Sequence, residues 1–420
     1  MRLSHKTTVK LNKTESRIID RMCYAAYKLW NICNYERKNW KELGLKQYPD
    51  WYCQKKIHKD EYWYKSLPSQ SAQEVCKLLD KSWKSYYSLL KSGGIENPQP
   101  PYFKHSPIAI TYMQNGIKHE ARSEEVRLSL PNGLKKYLLE AYGEKADFLF
   151  LRNRIFSETD MIKQIKLYPP RHGETRVIVI YETENVIPAE ENGKYLSIDP
   201  GLHNLFTCYD SGGASFIVGR NYLNICYRYD KKIARVQSQW SSVQSAAGVE
   251  HPKSSRHIRK IQQKKKNTVD DYLHKVTAYI ADYCVDHDIR TVVIGDIRNI
   301  RKGKDLGHAV NQKLHSLPYA KMYLKLEYKL ALKGIRMEYQ NEAYSSQCGP
   351  FTKEVSAEYA RKRNRAERGL YIDGNAVYNA DALGAYNILR KYLIEHEKEP
   401  AIPVNGLSEL QVIKAAVQPA

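Results

Sequence analysis

No two of the eight cysteines, at 23, 33, 53, 76, 208, 226, 284 and 348, have Cys-x-x-Cys spacing. That argues against a zinc ribbon and against a secreted disulfide scaffold. No stretch approaches the roughly 18 uninterrupted apolar residues of a membrane span. The basic N-terminus lacks the apolar core of a signal peptide, so a reducing cytosol is the simplest expected compartment. Acidic residues are also in deficit, with 46 Asp plus Glu against 67 Lys plus Arg and a net charge of +21. Such a balance is unusual for a soluble metabolic enzyme and points to a polyanionic partner, by default nucleic acid. What the chain has in abundance is tyrosine, 33 in all. Most are expected in the core, while those interleaved with Lys and Arg can stack on bases. At 420 residues the chain has room for two or three domains.

Residues 1–13 alternate polar and apolar, a strand pattern with Thr7, Val9 and Leu11 on one face. From Thr14 the apolar residues Ile18, Met22, Ala26, Leu29 and Cys33 recur at helical spacing. Ser71 and Glu74 form a capping-box pattern ahead of a second helix that Gly93 and Gly94 stop. A proline-rich crossing, 97–104, leads into a β-rich segment, 108–184, with strands expected at Glu125–Leu130, Lys163–Tyr168 and Thr175–Tyr181. The pattern describes a barrel-like β-domain, 1–13 and 101–185, carrying a helical insertion, 14–100, and ending at the acidic linker 185–192. From Tyr195 three strands are followed by a long basic helical region, 221–287, a strand at 290–294, a helix at 308–333, a strand at 335–340 and a last helix at 380–394. This is the order of an RNase H-type α/β domain spanning about 190–394. A tail, 395–420, carries a helix near 407–416.

Tyr195 to Ile198 runs as a short apolar strand into Asp199-Pro200-Gly201, which leaves a carboxylate at the strand tip. An Asp before a turn is commonly only turn chemistry. Hydrolysis of a phosphodiester by two metals, however, needs carboxylates from several elements converging on ions about 3.5 to 4 Å apart. Three further acids stand at suitable places. Asp296 follows the strand ending in Ile294, Glu342 follows the strand ending in Gln340, and Asp381 opens the last helix, where Asn379 is a natural cap and the helix dipole favours negative charge. The bland readings are a strand-end turn for Asp296, a surface charge for Glu342 and a helix cap for Asp381. Their joint occurrence in RNase H order is the stronger signal.

The blocks YLSIDPGLHNLFT, VVIGDIRNIRKG, NQKLHSLPYAKMYLKLEYKLALKGIRMEYQNEAYSSQC and RGLYIDGNAVYNADALGAYNILRK, across about residues 195–394, resemble TnpB-type proteins of insertion sequences. These are RuvC-domain, RNA-guided DNA endonucleases related to the compact type V CRISPR effectors. The resemblance implies a RuvC nuclease domain preceded by a wedge β-domain with a helical recognition insertion. It also implies catalytic, metal-binding Asp199 and Asp381, Mg²⁺ or Mn²⁺, a guide RNA, target DNA, and a monomeric ribonucleoprotein in a prokaryotic cell. The family's middle Glu position is Gly295 here. Alternation along a strand turns neighbouring Asp296 to the other face unless the strand has already ended. The resemblance further implies that some members of the wider family carry the middle glutamate at the end of the next strand, where Glu342 stands, so Glu342 is preferred and Asp296 is kept as the alternative. The family's metal ribbon is reduced to Cys348 at about 343–378, and one thiol cannot build a four-ligand zinc site. No structural zinc is expected. The remnant is expected to be held by packing and by the basic run Arg361, Lys362, Arg363, Arg365 and Arg368.

Arg256, Arg259, Lys260, Lys264, Lys265 and Lys266 lie on a predicted helix and, by the resemblance, contact nucleic-acid backbone; otherwise they make a solvated helix face. The arginines and lysines of the 361–368 run are counted with them. Two readings compete with cleavage. One is a nuclease-inactive RNA-guided DNA-binding repressor. The other, an actin-like phosphotransferase, is disfavoured by the +21 charge and by the lack of a second glycine-rich phosphate loop.

Overall fold

A computed structural model describes residues 1–159, 161–297, 318–365, 367, 369–399 and 402–414. The chain forms two compact units, Met1–Asn185 and Val186–Ala420. No helix of the described residues is long and apolar enough to cross a membrane.

The first unit opens with strand β1 (Arg2–Lys10), followed by helix α1 (Lys13–Lys38), short helices α2 (Trp51–Ile57) and α3 (Tyr62–Lys65), and α4 (Ser69–Ser92). Asn12 and Glu15 close a reciprocal capping box that starts α1, each side chain accepting the other's backbone N–H at 2.8 Å. The capping box expected at Ser71 and Glu74 does not form. Helix α4 begins two residues earlier, directly after Pro68, so Ser71 is buried inside it and Glu74 pairs with Lys77 at 2.7 Å. Gly93, at φ +62°, ends α4 in a left-handed conformation that glycine adopts without steric cost.

Strands β2 (Ile110–Met113), β3 (Ile117–His119), β4 (Glu125–Ser129), β5 (Phe148–Arg152), β6 (Met161–Leu167) and β7 (Glu174–Glu182) complete two antiparallel sheets, ordered β1-β7-β6-β2 and β3-β4-β5. The segment expected to be β-rich throughout is interrupted by α5 (Asn132–Tyr142), which buries Leu134 and Leu138, four residues apart, and by the single turn α6 (Arg154–Ser157). The four-residue spacing of those leucines is a helical signal.

In the second unit, β8 (Tyr195–Asp199), β9 (Phe206–Asp210) and β10 (Ser215–Val218) precede α7 (Tyr222–Ala246) and α8 (Arg256–Asp286). The basic helical region is therefore two helices, broken near Gly248 at φ +79°. Next come β11 (Thr291–Gly295), α9 (Tyr319–Leu332), β12 (Arg336–Gln340), the hairpin β13 (Leu370–Asp373) and β14 (Ala376–Asn379), and α10 (Ala380–Glu395). Positions 308–317 of the expected helix lie outside the described residues. The tail forms a 3-10 turn at Asn405–Leu407 and strand β15 (Gln411–Ile413) instead of the expected helix, because residues 411–413 pair in parallel with β10.

The sheet order is β12-β11-β8-β9-β10-β15, with β8, β11 and β12 parallel and β9 antiparallel to its neighbours β8 and β10. Alternation assigns its two faces. Leu196, Ile198, Val292 and Ile294 pack with α7, α8 and α9 through Ile225, Leu273, Val276, Met322 and Leu326. Tyr195, Tyr209 and Val293 pack with α10 through Ala382, Leu383, Ala385, Ile388 and Leu389.

Candidate active site

Asp199 is the last residue of β8 and shares the parity of Tyr195 and Ser197, so its carboxylate is directed to the α10 face. The turn after it is tight. The Gly201 N–H donates to the Asn204 carbonyl at 3.0 Å, and a β-carbon on Gly201 would lie 2.8 Å from that oxygen, which explains the glycine. The turn presents Asn204, whose side-chain amide donates to Asp381 Oδ2 at 3.0 Å. Asp381 occupies the first turn of α10, where the Asn379 side chain accepts from the backbone N–H groups of Asp381 and Ala382 at 3.0 and 3.1 Å. Helix α10 approaches β8 closely at Gly384, where a β-carbon would stand 2.6 Å from Asp199 Oδ2.

The pairing Gly295 with Gln340 continues the alternation across β11 and β12. Gln340 faces α10 and donates to Glu395 at 2.9 Å, and Glu342, two residues on, keeps the same side. A β-carbon on Gly295 would meet Glu342 Oε2 at 3.2 Å, so the Glu342 carboxylate occupies the space that a side chain at 295 would enter. Asp296 has the opposite parity. Its backbone N–H donates to the Gln340 carbonyl at 2.8 Å, and its carboxylate acts on the phenol of Tyr323 from α9, as does that of Glu342. The Tyr323 hydroxyl donates to the Gly295 carbonyl at 2.6 Å and accepts from the Ile297 N–H at 3.3 Å.

Electrostatics reflect this grouping. Burial, then the carboxylates of Glu342 and Asp381, push the Asp199 carboxyl up to about 8, while the Arg365 guanidinium pulls the other way. An all-oxygen carboxylate set of this kind suits Mg²⁺ or Mn²⁺, and a divalent cation would relieve the repulsion that raises Asp199. Among the described residues no three His, Cys, Asp or Glu side chains are yet drawn into a closed ligand group. The donor chemistry fits such an ion.

The remaining sequence candidates fall elsewhere. Arg259, Lys260, Lys264 and Lys266 are exposed on α8, and so is Arg256 at its start, whereas Lys265 pairs with Asp230 of α7 at 2.6 Å. Arg365 reaches Ser346 Oγ at 3.1 Å, and Arg361 donates from its backbone to the Gln347 carbonyl at 2.8 Å. Lys362 and Arg363 are exposed, and Arg368 lies outside the described residues. The principal hold on the segment after Glu342 comes instead from α10, through the buried Asn387 and Arg390. Asn204, Gly384, Asn387 and Arg390 were not singled out from sequence. The signal available for the last two was a pair of polar residues, three apart, within the apolar helix ADALGAYNILRKYLIE.

Acidic side chains gathered at the strand ends of a mixed α/β sheet define the class of site, and the comparisons place the chain more narrowly. The family model OrfB_IS605, described as "Probable transposase", matches residues 178–301. A protein of Escherichia coli (strain K12) named "Putative RNA-guided DNA endonuclease InsQ" is 25% identical over 372 residues, 83% of this chain and 82% of its own. A TnpB-like protein of Methanocaldococcus jannaschii is 24% identical over 144 residues, 32% of this chain and 46% of its own. A cryo-EM structure of a Cas12f1-sgRNA-target DNA complex shares the fold at TM-score 0.54 and 12% identity, covering 90% of this chain and 83% of that one. The sequence matches support a TnpB-type classification, and the structural match shows a shared fold.

Proposed function

We propose that the protein is an RNA-guided DNA endonuclease whose second unit is an RNase H-like RuvC domain with Asp199, Glu342 and Asp381 as its acidic trio. The observation that carries this reading is the convergence of Glu342 and Asp381 on Asp199, three acids from three elements on one side of the sheet. The sheet order, three antiparallel strands continued by two parallel ones, is that expected of such a domain. In the same reading the first unit is a wedge β-domain with a helical recognition insertion, and the protein acts as a monomeric ribonucleoprotein.

Mg²⁺ or Mn²⁺ held by the three carboxylates would supply an activated water and neutralise charge on the scissile phosphate. The chain's own contribution is to hold those carboxylates. Asn204 fixes the Asp381 carboxylate through one amide donor, and the Asn379 cap fixes the turn that carries it. Asp199 must lose the proton that burial and its acidic neighbours favour. Exposed cations on α8, among them Arg259, Lys260, Lys264 and Lys266, would hold nucleic-acid backbone.

Reading of a short DNA motif falls to a cleft of about 260 Å³ in the first unit. Gln70, Gln73, Gln114, Asn115 and Gln164 line it together with Lys77 and Lys163. Side-chain amides are suited to adenine edges, while Lys77 and Lys163 pair with Glu74, which also lines the cleft, and with Glu182 at 2.7 and 3.0 Å. The test of the whole reading is to purify the protein with RNA transcribed from its own locus and assay cleavage of DNA matched to the RNA's 3′ end. Bound RNA with metal-dependent cleavage is the expected result. Absence of bound RNA overturns it, and bound RNA without cleavage selects a binding-only repressor.

A further inference from the structure

The segment that follows Glu342 carries one thiol and folds back on itself. Its backbone turns are tight. Ala343 donates to the Asn341 side chain at 2.8 Å, Ser345 donates to the Glu342 carbonyl at 3.1 Å, and Tyr344 adopts a left-handed φ of +67°. A chain wound this way exposes inward-facing carbonyls that need donors. Two side chains of α10 supply them. The Asn387 amide, fully buried, donates to the carbonyls of Ser345 and Cys348 at 2.7 and 2.8 Å. The Arg390 guanidinium, 4% exposed, donates to the Gly349 carbonyl at 3.1 Å, to the Asn387 side-chain oxygen at 2.9 Å and to the Thr352 carbonyl. No acid is among these partners: the buried guanidinium is matched by carbonyl and amide oxygens alone.

Asn387 and Arg390 stand three residues apart, on the helix whose first turn holds Asp381 and whose Gly384 touches Asp199. One rigid element thus fixes Asp381 directly and the root of Glu342 through the loop. We infer that Asn387 and Arg390 are positioning residues for Glu342, a carbonyl latch that fixes the 345–352 loop to α10 and so sets the distance from Glu342 to Asp199. This rests on the proposed acidic trio. Neither residue touches substrate or ion; both act through the backbone that carries Glu342.

The experiment compares the full-length wild type with Glu342→Gln, Arg390→Lys, Asn387→Ala and the double variant Glu342→Gln/Arg390→Lys. Lysine retains the charge but cannot span both loop carbonyls and the Asn387 oxygen. Mn²⁺ affinity is read by electron paramagnetic resonance on the protein alone, and cleavage is read separately on the guide-loaded protein at saturating target. Arg390→Lys and Asn387→Ala are each expected to weaken Mn²⁺ about 10-fold, the scale of a lost outer contact to a metal ligand. The cleavage rate falls with it, and target-DNA affinity is unchanged. In the Glu342→Gln background Arg390→Lys is expected to cost nothing further, because its effect runs through a carboxylate already removed. Leu393→Ala, on α10 beyond the latch, serves as a control for loss of stability alone and leaves Mn²⁺ affinity at the wild-type value. Should Arg390→Lys fail to melt cooperatively, Asn387→Ala carries the same comparison.

Wild-type Mn²⁺ affinity in both latch variants, or full additivity in the double variant, overturns the latch while leaving the nuclease reading intact. A wild type that does not cleave, yet shows the expected Mn²⁺ pattern, removes the nuclease reading and leaves the latch standing.

Discussion

The two faces of the six-stranded sheet carry similar strands and different consequences. On the α10 side Asp199, Gly295 and the approach to Glu342 share one parity, and the helix comes close enough that a β-carbon at 384 would stand 2.6 Å from Asp199 Oδ2. On the side of α8 and α9 the same strands present Leu196, Ile198, Val292 and Ile294 to a larger apolar core. Asp296, one residue beyond β11, belongs by parity to that second face. The difference teaches that sequence distance from a strand end is a poor guide to a site, since a step of one residue changes the face. Glu342 is a whole strand away from Gly295 and still shares its space.

The sharpest way to break this comparison is to exchange its two acids. Glu342→Gln is expected to lower guide-directed DNA cleavage by about 10²-fold or more, the scale of removing one preorganised charged group. Asp296→Asn should stay within a few-fold of wild type, and the reverse outcome would reassign the face. A stricter version moves the carboxylate. In Glu342→Ala the oxygen that stood 3.2 Å from a β-carbon at 295 is gone, leaving Pro200 and Ile388 at 3.1 and 3.2 Å to yield. Gly295→Glu in that background is expected to recover part of the lost cleavage, whereas Asp296→Glu is not.

Smaller, but confined to the same face, is the effect of Gly384→Ala. Alanine in a helix interior is ordinarily favoured over glycine by about 1 kcal/mol. Here its β-carbon would press on Asp199 Oδ2 at 2.6 Å, so the carboxylate or the helix must shift. Cleavage is expected to fall about 10-fold, within the range set for sub-ångström misplacement of a reacting group. Thermal melting should change little. A variant more stable and fully active would show that the close approach of α10 is not needed.

How much of this was legible in the sequence follows from how local each feature is. The strand ending at Asp199 and the turn at Gly201 are written in adjacent residues, and Asn379 with Asp381 is a local capping signal. Strand β15 was not legible, because three residues acquire strand character only by pairing with β10, some 200 residues earlier. Helix α5 was legible, with Pro131 before it, leucines at 134 and 138 and Gly143 after it, but these signals were passed over among the flanking strands. The Ser71 capping pattern was misleading because Pro68 had already begun the helix. Asn387 and Arg390 showed in the sequence only as two polar residues three apart, for a different reason. Their partners are backbone carbonyls about 40 residues away, which carry no sequence signature.

Tests of the second face should touch stability and leave chemistry alone. Tyr323→Phe removes the donor to the Gly295 carbonyl at 2.6 Å and the acceptor of the Ile297 N–H. A loss of about 1 to 3 kcal/mol in denaturant unfolding is expected, with cleavage at sub-melting temperature unchanged within a few-fold. A fall in cleavage larger than the fall in stability would make Tyr323 part of the site.

The weakest expected effect lies farther out on that face, where Lys329 donates to the His274 carbonyl and Lys325 stands against His274. Burial first, then the Lys325 ammonium, lowers the Lys329 ammonium to about 8. An unfolded lysine titrates near 10.4, so between about pH 8 and 10 the unfolded chain binds more protons than the folded one. Stability attributable to this group therefore rises with pH across that window, and below pH 8 the full cost of the buried charge remains. Lys329 is only partly buried, so solvent screening keeps the effect below about 1 kcal/mol. Melting curves of wild type and Lys329→Met should differ in their pH slope between 8 and 10, with the wild type gaining more as pH rises. Parallel slopes would mean that the ammonium keeps its ordinary proton affinity and that this face bears no electrostatic cost.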